Sequence, residues 1–222
     1  MKKRILTLLA YTLTAASLFA APKAVVFDFG GVMTGEPNRQ AVVQFIRESL
    51  DLTEADFEAA QKEKRKFIAN GKTDAEYWTA FAKTKGISLP ANWVESLHGT
   101  MKSAINVNDE MYQLVEQLQA QKIPTGMLSN IDERLAAFVR KFGLYAPFEP
   151  CLLSYEIGVE KPNLKAYTIL IEQLNMPAND IVFIDDRPEN VEAAIQAGLD
   201  AIVFESASQI KGELTKRGAF TR

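Results

Sequence analysis

From residue 24 onward, short apolar runs alternate with stretches of helical periodicity, and this alternation constrains the fold of the 222-residue chain more than any other property. Runs at 24–27 (Ala-Val-Val-Phe), 124–128, 151–154, 181–184 (Ile-Val-Phe-Ile) and 201–204 (Ala-Ile-Val-Phe) have the length of strands. Residues 109–121, 131–142, 163–175 and a segment ending near Gly198 read as helices between them, the second stopped by Gly143. A parallel strand can be reached only through a crossover, so this order predicts an α/β fold: a Rossmann-like parallel sheet with helices on both faces. In such sheets ligands collect at the carboxyl ends of the strands, near the point where strand order reverses.

One stretch breaks the alternation. Residues 36–105 carry helical periodicity and almost no strand signal, which predicts an inserted all-helical unit. Ala41-Val42, Phe45-Ile46 and Leu50 recur at helical spacing, and Thr53 caps a charged segment running to about Asn70-Gly71. Thr73 with Glu76 resembles a capping box for a third helix bearing Tyr77, Trp78 and Phe81. Pro90 is expected to start a fourth helix through Trp93, Leu97 and Met101. The aromatic residues are read as the insertion's own core, the charged run 61–66 as a solvated helix face, and His98, the lone histidine, as having no ligand role. No internal repeat or low-complexity linker is evident.

The first 21 residues do not belong to the folded unit. Lys2-Lys3-Arg4 precedes a largely apolar stretch from Ile5 to Ala21 that ends in small residues, the pattern of a secretory signal peptide. Cleavage is expected after Ala20, because cutting after Ala21 would leave Pro22 directly behind the scissile bond. The stretch is short for a span of about 20 residues, so the expectation is an exported, periplasmic bacterial protein without stable membrane association; an uncleaved inner-membrane anchor is the alternative. Cys151 is the single cysteine, which excludes an intrachain disulfide. A net charge of −3 gives no electrostatic bias toward nucleic acid, while 47% hydrophobic and 24% charged residues suit a chain with a substantial core.

The chemically interesting residues follow strands. Asp28 ends the first run, Ser129-Asn130 the second and Asp185-Asp186 the fourth, and Lys161 lies in Gly158-Val159-Glu160-Lys161-Pro162 after the third. Singly, each has a bland explanation: a turn cap, a helix-capping pair, a solvated loop lysine. Their joint order along alternating strands brings four segments to one crevice. A carboxylate can attack phosphorus and divide one difficult hydrolysis into two easier displacements, and Asp28 is the acid placed to do so. Attack on an anionic phosphate calls for a hard divalent cation with oxygen ligands, for which the paired aspartates offer a second carboxylate.

These motifs resemble the haloacid dehalogenase-like superfamily, in order and spacing, from about residue 23 to about residue 205. Asp-Phe-Gly-Gly-Val, Leu-Ser-Asn and Ile-Asp-Asp-Arg-Pro-Glu-Asn are most similar to its sugar-phosphate phosphatase-like members. The resemblance implies a core of residues 22–35 and 106–222, a helical cap at 36–105, a Mg²⁺ cofactor and a small phosphorylated substrate, with a sugar phosphate as one candidate; it leaves the oligomeric state open. It implies Asp28 as nucleophile and metal ligand, Asp186 and the Gly30 carbonyl as further metal ligands, and Lys161 and Ser129-Asn130 as groups contacting the phosphoryl oxygens. Asp185 is expected to position a metal-bound water or the lysine, and Asn190 falls where some relatives have an acid.

Gly30 departs from the family pattern. Most phosphatases of this superfamily have an aspartate two residues after the nucleophile, which protonates the leaving group and later activates water. A general acid contributes about 10²- to 10⁴-fold, so its loss matters most for poor alkoxide leaving groups. The expectation is therefore a preference for phosphates of acidic leaving groups, such as anomeric sugar 1-phosphates or acyl phosphates. Two other readings stand beside it: a metal-independent 2-haloacid dehalogenase, disfavoured by Asp185-Asp186, and a catalytically silent binding protein, favoured by Gly30.

Overall fold

The structure, a computed structural model, describes residues 21–68 and 72–220. Its centre is a five-stranded sheet of β1 (Ala24–Phe27), β2 (Thr125–Ser129), β3 (Cys151–Leu153), β4 (Ile181–Asp185) and β5 (Asp200–Val203). The order is β3-β2-β1-β4-β5 and every pairing is parallel. β1 lies in the middle, with Val26 opposite Gly126 on one side and Phe183 on the other. The chain builds outward from β1 in one direction through β2 and β3, then returns to its other side for β4 and β5, so strand order reverses at β1.

The helices are α1 (Arg39–Ser49), α2 (Glu54–Ile68), α3 (Asp74–Thr84), α4 (Trp93–Ala104), α5 (Asp109–Ala120), α6 (Glu133–Arg140), α7 (Ser154–Ile157), α8 (Leu164–Leu174), α9 (Pro188–Gln196) and α10 (Ala207–Lys216). Strand side chains alternate faces. Val25 and Phe27 therefore enter a core with Met111, Leu114, Val115 and Leu118 of α5 and Ile210 and Leu214 of α10. Val26 and Phe183 enter the other, with Ala166, Tyr167 and Leu170 of α8 and Ala193 and Ala194 of α9. Both faces are covered, as the continuous apolar runs require.

Helices α1 to α4 share a separate core of Ile46, Leu50, Phe57, Trp78, Trp93 and Leu97. Phe57 stacks on Trp78 with ring centroids 5.6 Å apart, and the Tyr77 hydroxyl donates to the Ala60 carbonyl at 2.7 Å. The capping box of α3 is present, with Thr73 and Glu76 bonded reciprocally. The two strands of chain joining this insertion to the core run side by side. Thr34 and Val107 form an antiparallel bridge, the Gly35 N–H donates to the Asn106 carbonyl at 2.8 Å and Asn108 N–H to Met33 at 3.0 Å. The side-chain amides of Asn106 and Asn108 reach back to the Glu36 and Val32 carbonyls, both at 3.1 Å.

Several boundaries differ from those read in the sequence. Pro90 does not start α4: the Trp93 N–H bonds back to the Pro90 carbonyl in a turn, and the helix begins at Trp93. Ser154 leaves β3 for the one-turn α7, and α6 starts at Glu133, capped by Asp132. The expected end of α2 at residues 70–71 lies outside the described residues, as does the leader. No helix among the described residues is long and apolar enough to cross a membrane. α10 had no counterpart in the sequence reading; Gly212 at its centre weakens its helical signal, and burial of Ile210 and Leu214 against the sheet compensates.

Candidate active site

Asp28 follows β1 directly, and its N–H continues the sheet by donating to the Ile184 carbonyl at 2.8 Å. Its side chain is thereby fixed over the carboxyl ends of β1 and β4. Oδ1 accepts the Phe29 N–H at 2.6 Å and lies 2.8 Å from the Lys161 ammonium. No protein donor among the described residues reaches Oδ2. One carboxylate oxygen is thus held by donors and the other is left to react. Burial lifts the Asp28 pKa from 3.8 to about 6, with Lys161 opposing the rise and Asp185 adding to it.

Lys161 is buried and carries its charge between two acids, its Nζ 2.8 Å from Asp28 and 2.7 Å from Asp185 Oδ2. It also sits 5.3 Å from the centroid of the Phe183 ring. The loop presenting it is held by Asn130. The Asn130 amide donates to the Lys161 carbonyl at 2.8 Å and accepts the Lys161 N–H at 2.9 Å. A second clasp lies beside it: the Ser154 hydroxyl accepts the Ile131 N–H at 3.0 Å and donates to the Ile131 carbonyl at 3.2 Å. The loops after β2 and β3 are therefore tied to one another through their backbones.

The paired aspartates face different ways. Asp185 is the last residue of β4, in register with Val203, and is completely buried. Its Oδ1 accepts the Arg187 N–H at 2.9 Å, and Asn190 Nδ2 reaches Oδ1 at 2.9 Å and Oδ2 at 3.0 Å. Asp186 is exposed, and its carboxylate lies against Gly31: a Cβ at that glycine would come within 2.3 Å of it, and Gly31 has φ +81°. Burial first, then the Asp185 charge, raises the Asp186 pKa. One oxygen from each of Asp28, Asp185 and Asp186 falls within 4.8 Å of the others.

These oxygens suit a hard cation. Two acids with raised pKa values are crowded beside a third, which is the electrostatic situation a divalent ion relieves. Asp186 is exposed, and among the described residues no protein donor reaches Asp28 Oδ2 or the Gly30 carbonyl.

Of the residues expected at the site, Asp28, Lys161 and Asp185 form one ion-paired cluster, Asp186 and Gly30 border it, and Asn130 supports its lysine from behind. Ser129, at the end of β2, is buried and makes no hydrogen bond to Asp28, Lys161 or Asp185. His98 is exposed on α4. Sequence reasoning gave no role to Gly31, Asn190 or Tyr167. The Gly-Gly doublet was a legible signal for the first; Tyr167, inside an apolar helix, carried none.

Comparison with known proteins fits this geometry. The model of the haloacid dehalogenase-like hydrolase family matches residues 22–198. A chloroplast flavin mononucleotide hydrolase of Arabidopsis thaliana is 29% identical over 125 residues, 56% of this chain and 51% of that protein, so this chain spans about half the relative's length. A sesquiterpene phosphatase of Aspergillus oryzae is 24% identical over 80% of this chain and 87% of its own. Among solved structures, a HAD-family enzyme from Bacteroides thetaiotaomicron in complex with magnesium superposes with a TM-score of 0.51 at 20% identity, covering 86% of this chain and 98% of that one. Fold, strand-end cluster and family match agree, and the chain belongs to the haloacid dehalogenase-like hydrolases.

Proposed function

We propose that the protein is a Mg²⁺-dependent phosphatase that hydrolyses a small phosphorylated metabolite through an aspartyl-phosphate on Asp28. The observation that carries this reading is the asymmetry of the Asp28 carboxylate, with Oδ1 held by the Phe29 N–H and Lys161 and no donor among the described residues on Oδ2, in a group clustered with Asp185 and Asp186. Asp28, Asp186 and the Gly30 carbonyl would hold the ion, which when bound neutralises phosphate charge and lets two anions approach. Oδ2 attacks phosphorus and the ester P–O bond breaks, the leaving oxygen drawing its proton from solvent. Water then attacks phosphorus, the P–Oδ2 bond breaks, and inorganic phosphate leaves with the carboxylate restored. Lys161, held by Asn130 and Asp185, offsets charge on Asp28 and on the transferred group.

Gly30 supplies no acid for the first step, so the substrate must bring an acidic leaving group; anomeric sugar 1-phosphates and acyl phosphates meet this requirement. The phosphatase relatives support phosphoryl chemistry, and Asp186 speaks against a metal-independent dehalogenase, which has no use for an open carboxylate there. Gly30 also favours a second reading, a binding protein that retains the site without turning over.

The test is phosphate release from esters of graded leaving-group pKa, with Mg²⁺ and with EDTA. Expected are metal-dependent turnover and a steep fall in kcat/KM as leaving-group pKa rises. A flat dependence, with sugar 6-phosphates turned over equally well, defeats the leaving-group reading. No release from any ester, together with an unchanged biological effect of Asp28→Asn, establishes the binding protein instead.

A further inference from the structure

We propose that Ser154 is a positioning residue for Lys161: its hydroxyl grips the backbone of Ile131 and, through the neighbouring Asn130, fixes the segment that carries the ammonium to Asp28. Its effect on turnover rests on the phosphatase reading above; its effect on the backbone does not.

Two side chains cross between the loops after β2 and β3, in opposite senses. Asn130, on the β2 side, takes both backbone polar groups of Lys161, donating to the carbonyl at 2.8 Å and accepting the N–H at 2.9 Å. Ser154, on the β3 side, takes both of Ile131, accepting the N–H at 3.0 Å and donating to the carbonyl at 3.2 Å. Residues 130 and 131 are adjacent, so the arc from 154 to 161 is pinned at both ends to one dipeptide. Within the arc, Ser154 opens α7 and Gly158 ends it, with φ +69° in the left-handed region and its N–H donating to the Ser154 carbonyl at 2.9 Å. Residue 154 thus holds the arc's own turn by its backbone and the opposite loop by its side chain.

The second grip matters because of where the lysine sits. Its Nζ lies 2.8 Å from Asp28 and 2.7 Å from Asp185, and attraction to two acids does not by itself choose how the ammonium is shared between them. The backbone at residue 161 sets that, and Asn130 holds it only as firmly as residue 130 is itself held. Sheet pairing keeps β2 and β3 in register as far as Ser129 and Leu153. One residue further along β3, the buried Ser154 hydroxyl continues the tie. The plainer role, satisfying the polar groups of Ile131, does not require a serine. Ile131 is half-buried, and an open groove of about 440 Å³ lined by Ile131, Ser154, Tyr155 and Gly158 among others lies beside the clasp, so water can replace the hydroxyl. Water would satisfy Ile131 without fixing it to β3.

Ser154→Ala separates the two roles. Amide hydrogen exchange reads the backbone without turnover, and p-nitrophenyl phosphate at saturating Mg²⁺ reads kcat and KM. Expected is exchange of the Lys161 N–H faster by about tenfold or more, with the amides of β1 and β4 unchanged. Expected with it is kcat lowered about tenfold and KM changed by less than about threefold, because a displaced charge is felt in the transition state. In an Asn130→Ala background, where the path to Lys161 is already cut, Ser154→Ala should lower kcat by less than about a further twofold. Exchange at Lys161 within about twofold of wild type, or kcat within about twofold in an active enzyme, would leave Ser154 a structural residue and overturn the assignment. Multiplicative effects of the two substitutions would overturn it too. If Ser154→Ala does not fold, Ser154→Cys, whose weaker thiol loosens the same grip, carries the measurements. Wild type that turns over no ester defeats the phosphatase reading, and exchange at Lys161 then decides the positioning by itself.

Discussion

Gly30 lies two residues after Asp28 with space around it: an added Cβ would meet no atom within 4 Å, and its φ lies outside the left-handed region that Gly31 occupies. A side chain can therefore start there without a clash. We therefore expect Gly30→Asp to fold normally and to raise kcat/KM for primary-alcohol phosphates by about 10²-fold or more, with little change for aryl phosphates, flattening the leaving-group dependence. Asp28 supplies a pH prediction. Its pKa rises from 3.8 to about 6 on folding, so the metal-free native state keeps a proton that the unfolded chain releases. Stability of the metal-free protein from this group therefore falls as pH rises from about 4 to about 6 and is level above that. A cation competes for the same oxygens, so Mg²⁺ affinity should drop about tenfold per pH unit below about 6 and be constant above it, as calorimetric titrations across that range would read. A pH-independent affinity down to pH 5 would contradict this. At this scale Asp28 and Lys161 were legible because strand ends expose side chains to a crevice. The different settings of Asp185 and Asp186 were only half legible: both follow β4 in the sequence, but the burial of Asp185 against Lys161 and Asn190 depends on segments that meet only in the fold.

Among the elements, those with local stop and start signals were read best. Thr53, Thr73 with Glu76 and the Asn163 cap of α8 each satisfy backbone groups within a few residues of themselves, so sequence suffices to find them, whereas α6 ends at Arg140, ahead of the Gly143 stop expected for it. Boundaries set by distant partners were not found: β4 runs on through Asp185 because β5 pairs with it there, and α10 forms because the sheet buries its apolar face. The capping box of α3 gives a direct check. Both tryptophans of the chain, Trp78 and Trp93, lie in the core of the insertion, so their fluorescence reports that unit. Thr73→Ala should lower its stability by about 1 kcal/mol, moving the fluorescence-detected Tm down by a few degrees. An unchanged Tm would mean that α3 is held by aromatic packing alone.

For the whole molecule, the reversal of strand order at β1 is what gathers residues 28, 130, 161 and 186 into one place. The helical insertion joins the core through a paired ladder at residues 34–38 and 104–108, a few residues from Gly30 and Gly31 and the turn that borders Asp28. The leader lies outside the described residues, and export is proposed from its composition. Cell fractionation followed by N-terminal sequencing should find a periplasmic chain beginning at Ala21; a chain retaining Met1 in the membrane fraction would make the segment an anchor. The sequence by itself determined the α/β alternation, the inserted helices and the placement of Asp28, Lys161 and the paired aspartates in segments that follow strands, because periodicity, caps and turns act over a few residues. Tertiary structure alone decided which acid is buried against the lysine, which stays exposed and why position 31 must be glycine, because those outcomes depend on donors and crowding contributed by segments far apart in the chain.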